Sequence, residues 1–233
     1  MLKDTIIKFS DTVDGDVYND DIHQVIYSTD ASAYREKPNL IVIPKNNADI
    51  FRALKYASEN RLTLIPRAAG TSLAGQVVGN GVVVDCSKYF NQIIELNKAE
   101  KWVRVQPGVV LDELNLFLKP YGLFFGPETS TSNRCMVGGM VGNNSCGAHS
   151  LVYGSTREHC LELNVILSDG SQVIFKELSN KEYSEKLQLK TLEGELYRQI
   201  DSLLKNQEIV DEIRKQFPDA EIERRNTGYA IDI

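Results

Sequence analysis

The amino-acid sequence predicts an α+β fold, in which short strands alternate with helices and with long loops of small residues. Short apolar runs bounded by turn residues, such as residues 40–43 and 62–65, are typical of buried strands. Between them, apolar residues recur from Ile50 to Ala57 at the spacing of one helix face. Strands, helices and connecting loops of this kind favour a layered α+β domain.

The first predicted unit is a strand, a helix and a second strand. Pro44 ends the first strand, and Asn46 or Asn47 is a suitable N-cap for the helix, with Asp49 in its first turn. The second strand, residues 62–65, leads directly into a loop of small residues. Alternation of this kind predicts a sheet covered by a helix.

Further elements follow along the chain. Asp169-Gly170 stands at the centre of a short polar segment between two apolar runs, which is typical of a hairpin turn. Ile22, Val25 and Ile26 fit one helical face within an otherwise polar and acidic segment, residues 1–36. The other predicted strands cover residues 81–86, 93–96, 102–105, 161–167 and 172–175, and the other predicted helices cover residues 111–118 and 192–216.

The segment PRAAGTSLAGQ, residues 66–76, is the first candidate functional loop. Its small side chains and single cation would let backbone N–H groups approach an anion closely, and phosphate is the usual ligand of such a nest. A tight turn between strands that happens to carry small residues is the alternative. The loop alone does not decide between these two interpretations.

A second candidate loop, residues 122–154, is rich in Gly, Ser, Thr and Asn and is longer than an ordinary connection. Its backbone donors and side-chain amides suit an extended polar ligand. Disorder is the alternative interpretation, but the segment carries apolar residues that require burial. These residues are Phe124, Phe125, Met136, Val137, Met140 and Val141.

Composition limits the class of protein. The chain has 233 residues, of which 42% are hydrophobic and 25% charged, as expected for a globular protein with a real core. Its net charge of −6 argues against broad binding to nucleic acid. Four cysteines and three histidines are scattered without metal-ligand spacing, so no metal site is expected. No transmembrane segment or signal peptide is apparent, which predicts a cytoplasmic location.

Two motifs in this order resemble one family. PRAAGTSLAGQ at 66–76 and GPETSTSNRCMVGGMVGNNSCGAH at 126–149, followed by VILSDGS at 165–171, are similar to the FAD-binding domain of the vanillyl-alcohol oxidase and p-cresol methylhydroxylase (PCMH/VAO-type) flavoproteins. Within that group they resemble the FAD-linked oxidases of glycolate, D-lactate and D-2-hydroxyglutarate. The resemblance covers residues 35–177. The ending RRNTGYAIDI also resembles larger bacterial members that carry iron–sulfur modules further along.

The resemblance implies a fold of two α+β subdomains with FAD extended between them. The first loop would wrap the pyrophosphate, the second loop would meet the flavin and ribityl parts, and strand residues would border the adenine. Tyr153 and Gly154 would close the site. The implied cofactor-binding residues are Arg67, Ala68, Ala69, Gly70, Thr71, Ser72, Gly75, Pro127, Thr129, Ser130, Gly138, Gly139, Asn143, Ser145, Gly147, Tyr153, Gly154, Val165 and Ile166.

The sequence departs from the family pattern in the first loop. Many members have Gly-Gly where this chain has Ala68 and Ala69, so these two residues are expected to have ordinary backbone angles. Some members bind the flavin covalently through a histidine in this loop. None is present here, so non-covalent FAD is expected. For His149 and the nearby Cys146, a structural or solvent-facing role is favoured over a covalent or catalytic one.

The arginines also allow two interpretations each. Arg67 is expected to neutralise the pyrophosphate, with a surface salt bridge as the alternative. Arg134 either touches a phosphate or is exposed, and the sequence does not decide between these. Arg224 and Arg225 are expected to be a solvated or interdomain pair.

The activity implied by the resemblance is oxidation of a small 2-hydroxy acid, with hydride transfer to flavin N5 and onward transfer of electrons to a quinone, a cytochrome or an iron–sulfur centre. Family members place acid–base histidines in a C-terminal cap domain, so no catalytic residue is assigned here. The chain is expected to be a fragment that binds FAD but oxidises substrate poorly alone. Any iron–sulfur cluster, and any peripheral attachment to the inner membrane, would belong to the full-length protein.

Two alternative functions stay open: a non-catalytic flavin-binding module, and a flavoenzyme resembling UDP-N-acetylenolpyruvoylglucosamine reductase. The expected domains are an N-terminal segment (1–35), an FAD-binding domain (36–177) and a helical extension that leads to a missing cap domain (178–233). Subdomains of about 36–98 and 99–177 are expected within the second of these.

Overall fold

The computed structural model describes residues 2–218, 221–222 and 231, and the chain divides into two compact units, 1–156 and 157–233. The predicted pair Arg224 and Arg225 lies outside the described residues. The domain limits expected from the sequence stay predictions.

A four-stranded sheet is the centre of the first unit. Its strands are β1 (Asp16–Tyr18), β2 (Leu40–Ile43), β3 (Leu64–Arg67) and β4 (Val82–Asp85). Their spatial order is β1-β2-β4-β3, in which β2, β4 and β3 are parallel and β1 is antiparallel to β2. Pro66 lies in an edge strand, where its missing N–H leaves no gap in the ladder.

Both faces of this sheet are covered. On one face, Leu40, Val42, Val82 and Val84 pack against residues of helix α3 (Asn47–Glu59). On the other face, apolar residues of β2 and β4 pack against three tyrosines from outside those strands. The tyrosines are Tyr18, Tyr27 and Tyr89.

Three helices belong to this part of the chain. Helix α3 begins after Asn46, whose side chain accepts from the N–H of Asp49, so the predicted helix and its cap are confirmed. Helix α1 (Leu2–Ser10) places Phe9 against Tyr56 of α3, with ring centroids 4.4 Å apart. Helix α2 (Asp21–Ile26) confirms the predicted helix near Ile22, but its apolar side chains are exposed rather than buried.

The rest of the first unit begins with a hairpin of β5 (Ile93–Asn97) and β6 (Trp102–Val105), followed by α4 (Leu111–Leu118) and a 3₁₀ turn, Lys119–Tyr121. The apolar side of α4 packs against this hairpin. The predicted subdomain boundary near residue 98 therefore falls in the turn of a paired hairpin.

The long loop of small residues contains two short helices, α5 (Val137–Asn143) and α6 (Ser150–Tyr153). Met140 is buried and packs α5 against Leu111 and Cys135, so the predicted burial of the loop's apolar residues is confirmed for Met140. For Phe124 that prediction is wrong, because its ring is 56% exposed and meets the Tyr153 ring edge-on at 5.1 Å.

The second unit consists of a hairpin and three helices among its described residues. The hairpin turn at Asp169-Gly170 and the helices within 192–216 are confirmed, and the helix that follows the Ser179 capping box lies within the expected helical extension, residues 178–233. No described helix has the length and apolar character needed to span a membrane. The elements are β7 (Glu162–Ile166), β8 (Gln172–Lys176), α7 (Asn180–Gln188), α8 (Leu192–Lys205) and α9 (Gln207–Gln216).

Candidate cofactor-binding site

The first loop begins where β3 ends, at the carboxyl ends of the parallel strands β3 and β4. Ligands of open α/β sheets commonly bind at this end of the strands. Gly70 and Gly75 have φ values of 67° and 71°, which L side chains rarely adopt. Ala68 and Ala69 do not share this conformation, so the prediction of ordinary backbone angles for them is confirmed.

The guanidinium of Arg67 folds back against its own loop. A Cβ added to Gly70 would lie 2.5 Å from Nη2 of Arg67, so a larger residue there would displace the guanidinium from this position. Among the described residues, two buried side-chain atoms have no hydrogen-bond partner, Nη1 of Arg67 and Oδ2 of Asp30. A buried guanidinium N–H without a partner is costly, and an anionic oxygen would satisfy it best.

Tyr27 lies beside this guanidinium and is bonded to Asp85, the residue paired with Arg67 in the sheet register. The carbon at the centre of the Arg67 guanidinium lies 5.2 Å from the Tyr27 ring centroid, within the range of a cation–π interaction. The Tyr27 hydroxyl donates to Oδ2 of Asp85 at 2.6 Å. Burial raises the pKa of Tyr27, and the bond to the Asp85 carboxylate raises it further, so the hydroxyl stays protonated and acts as a donor.

A chain of side-chain hydrogen bonds joins the two predicted loops. Ser72 Oγ donates to Gln76 Oε1 at 2.5 Å, and Gln76 Nε2 donates to Asn143 Oδ1 at 3.3 Å. Asn143 Nδ2 in turn donates to Ser145 Oγ at 3.2 Å. The structure therefore brings Ser72, Asn143 and Ser145 together, as expected for residues that share one ligand.

Glycines let the helix of the second loop approach its neighbours. A Cβ on Gly138 would lie 2.4 Å from Pro107, and a Cβ on Gly139 would lie 3.4 Å from Ala68 of the first loop. Asn144 follows the last residue of α5 and has a φ of 45°. The pair of glycines thus permits contact between α5 and both the first loop and the strand connection at Pro107.

Within the second loop, residues 126–128 lie very close to residues 147–153 at two points. The backbone at Gly147 passes so near Glu128 that a Cβ there would lie 1.6 Å from the Glu128 carbonyl oxygen. Gly126 lies against Tyr153 in the same way, with 2.7 Å between a Cβ position and the tyrosine. The segment that carries the predicted residues Pro127, Thr129 and Ser130 is therefore fixed against residues 147–153.

His149 lies on the same segment. Its Nδ1 is 2.7 Å from Oε2 of Glu128, and the two side chains are 61% and 45% exposed. The favoured solvent-facing role of His149 agrees with this exposure. A catalytic role for His149 or Cys146 stays untested.

The other predicted residues fall in different places. Tyr153 ends α6, and Gly154 follows with a φ of 72°, whereas Val165 and Ile166 lie on β7 in the second unit. Arg134 is exposed and donates to the side chain of Asn133, which favours the exposed alternative. No group of three or more metal-ligating side chains occurs within the part of the chain that the structure describes.

Sequence reasoning missed Tyr27 and Asp85 as neighbours of Arg67. Asp85 could have been found from the sequence. It ends the apolar run VVVD, and in parallel neighbouring strands that position lies at the same end of the sheet as Arg67. No sequence pattern indicated Tyr27, since it belongs to a polar segment whose position against the sheet depends on tertiary packing.

A mostly parallel sheet with a small-residue loop at the carboxyl ends of its strands, joined to a second glycine-rich loop, suits an extended ligand that carries phosphate groups. The family model described as an FAD binding domain matches residues 38–176. The chain belongs to this family, and the resemblance stated from its two motifs is confirmed.

Individual relatives agree with this assignment. The chain is 37% identical to the D-2-hydroxyglutarate dehydrogenase of Pantoea ananatis over 220 residues, which cover 93% of this chain and 21% of that protein. It is 34% identical to glycolate oxidase subunit GlcD of Bacillus subtilis over 149 residues, which cover 63% of this chain and 32% of that one. The chain thus spans about a fifth of the length of the first relative.

A solved structure shows the same fold at low identity. Substrate-bound p-cresol methylhydroxylase aligns with a TM-score of 0.64 and 17% identity, over 74% of this chain and 35% of that one. The predicted PCMH/VAO-type α+β fold is therefore confirmed.

Proposed function

We propose that this chain binds FAD non-covalently, within an oxidoreductase that oxidises a small 2-hydroxy acid. The observation that carries the proposal is the buried Nη1 of Arg67, which has no partner and lies in a glycine loop at the carboxyl end of the sheet. The residues therefore fit the cofactor, because a pyrophosphate oxygen would satisfy this donor.

Each loop has its own part in the proposal. Arg67 and the backbone amides of residues 68–72 bind the pyrophosphate, where small side chains leave the N–H groups accessible. The linked amides and hydroxyls of the second loop bind the flavin and ribityl parts. The proposed binding residues there are Pro127, Thr129, Ser130, Gly138, Gly139, Asn143, Ser145, Gly147, Tyr153 and Gly154, with Val165 and Ile166 at the adenine.

The proposed substrate class is supported by the names of the relatives, a D-2-hydroxyglutarate dehydrogenase and a glycolate oxidase subunit. Bound FAD would supply a ring that accepts a hydride from the carbinol carbon of such an acid. This chain's residues bind and orient that ring. The base that removes the hydroxyl proton is not assigned, and a quinone, a cytochrome or an iron–sulfur centre is the proposed electron acceptor.

A cytoplasmic location is part of the proposal. It is supported by the four cysteines, none of which forms a disulfide, as is usual in a reducing compartment.

Adding FAD to the flavin-free protein is expected to raise its stability. At a free FAD concentration 100 times the dissociation constant, the free energy of unfolding should increase by about 2.7 kcal/mol, because FAD binds only the folded chain. Urea unfolding with and without FAD measures this, and riboflavin, which lacks the pyrophosphate, serves as a weaker-binding control. A protein that gains no stability from FAD would contradict the cofactor proposal.

The substrate class is tested separately. The full-length protein, loaded with FAD, is mixed anaerobically with D-2-hydroxyglutarate, D-lactate or glycolate, and bleaching of the flavin absorbance is followed. Bleaching by at least one acid is expected. Stable FAD binding without bleaching by any of the three would favour a non-catalytic flavin module.

A further inference from the structure

We infer that Tyr27 is a positioning residue, which keeps the Arg67 guanidinium available for a phosphate by occupying the carboxylate that would otherwise bind it. Tyr27 lies outside the matched family region, residues 38–176, so the inference adds the preceding segment to the cofactor site. It rests on the proposed function, because the phosphate is taken to be that of FAD.

Arg67 and Asp85 are neighbours by strand register. They are paired residues on the adjacent parallel strands β3 and β4, so their side chains leave the same face of the sheet. Strands in a sheet lie about 4.8 Å apart, a distance that an arginine side chain easily crosses. Asp85 is 5% exposed, which makes its carboxylate a strong competitor for a nearby cation.

Both oxygens of Asp85 already have donors. The Tyr27 hydroxyl donates to Oδ2 at 2.6 Å, and the N–H of Ser87 donates to Oδ1 at 2.7 Å. The Arg67 guanidinium instead lies over the Tyr27 ring and leaves Nη1 without a partner. Tyr27 therefore has two contacts that matter here. Its hydroxyl donates to the Asp85 carboxylate, and its ring packs against the Arg67 guanidinium.

The segment that carries Tyr27 also contacts the first loop, residues 66–76, directly. The N–H of Ala31 donates to the carbonyl oxygen of Gly70 at 3.2 Å. A Cβ on Gly75 would lie 2.7 Å from the Tyr34 ring, so the far end of the loop touches the same segment. These contacts hold Ala31 and Tyr34 against the first loop, a few residues after Tyr27 in the same segment.

The test compares FAD dissociation constants, measured by quenching of flavin fluorescence, in single and double variants. Tyr27→Phe keeps the ring but frees Asp85 to pair with Arg67, so FAD affinity should fall about three- to tenfold. The matched control is Tyr89→Phe. It removes a hydroxyl on the same sheet face that donates to Asp16 and not to Asp85, and its FAD affinity should not change.

Two double variants separate positioning from simple loss of structure. Tyr27→Phe with Asp85→Asn removes the competing charge and should restore FAD affinity to within about twofold of the original protein. It also leaves no buried carboxylate without the Tyr27 donor, so it tests the inference even where Tyr27→Phe alone folds poorly. In an Arg67→Met background, Tyr27→Phe should cause no further loss, because there is no guanidinium left to position.

The outcomes distinguish the two proposals. Unchanged FAD affinity in Tyr27→Phe, an equal loss in Tyr89→Phe, or a failure of Asp85→Asn to restore affinity would each overturn the role of Tyr27. If the original protein itself binds no FAD, the proposed function fails instead.

Discussion

Replacing Asp49 by alanine is expected to lower the free energy of unfolding by about 3–5 kcal/mol, the cost of removing one partner from a buried charged network. Asp49 is fully buried, and its carboxylate accepts from the N–H groups of Asp14, Gly15 and Lys45 at 2.9–3.0 Å. Arg52 Nη1 donates to it at 2.8 Å. The substitution would leave three backbone donors and one guanidinium without this acceptor, and it would remove the bonds that join residues 14–15 to the first turn of α3.

Urea unfolding of the flavin-free protein at pH 7 measures this loss. Asp14→Ala is the control, because Asp14 also pairs with Arg52, at 3.2 Å, but is 62% exposed. Exposed ion pairs contribute about 1 kcal/mol or less, so this variant should remain close to the original protein. Equal losses in the two variants would show that burial of the Asp49 carboxylate has no special importance.

The same carboxylate predicts a pH dependence. Burial alone would raise the pKa of Asp49, but hydrogen bonds from backbone N–H groups and from Arg52 outweigh it and hold the pKa below the ordinary 3.8. The stabilisation is therefore complete above pH 3.8 and is lost as the pH falls below that value towards the lowered pKa. The stability difference between the original protein and Asp49→Asn should shrink in this acid range, and a difference independent of pH would contradict the assignment.

The sequence could predict elements whose signals are local. The Asn46 cap, the apolar spacing of α3 and the Asp-Gly hairpin turn each depend on residues within a few positions of one another, and all three were confirmed. Strand β3 begins at Leu64 rather than at residue 62. It extends to Arg67 rather than ending at residue 65, because an edge strand can include Pro66 where a central strand cannot.

Elements stabilised from a distance could not be predicted. Strand β1 has three residues, and pairing with β2 and the hydrogen bonds to Asp49 hold it in place. For the same reason the sequence indicated the anion-binding loop but not Tyr27. The loop is recognised by its small residues, whereas the support beneath Arg67 exists only once residues 16–36 cover the sheet.

Replacing Gly147 by alanine is expected to lower the free energy of unfolding by about 3 kcal/mol and to weaken FAD binding, since overpacking against fixed backbone forces neighbouring segments apart. The added Cβ would lie 1.6 Å from the carbonyl oxygen of Glu128 and 2.6 Å from its carbon, so a shift of backbone is required. That shift would also strain the bond from the Gly147 N–H to Ser150 Oγ, now 2.8 Å.

Gly142→Ala is the matched control within the same loop. Gly142 lies inside α5, and a Cβ there would meet nothing within 4 Å, so alanine should be neutral or stabilise by up to about 1 kcal/mol through helix propensity. Urea unfolding of the flavin-free variants and FAD titration measure the two effects independently. If Gly147→Ala is as stable as Gly142→Ala, the segment around Glu128 is not fixed against residues 147–153. The second loop would then be shaped by the cofactor rather than formed in advance of it.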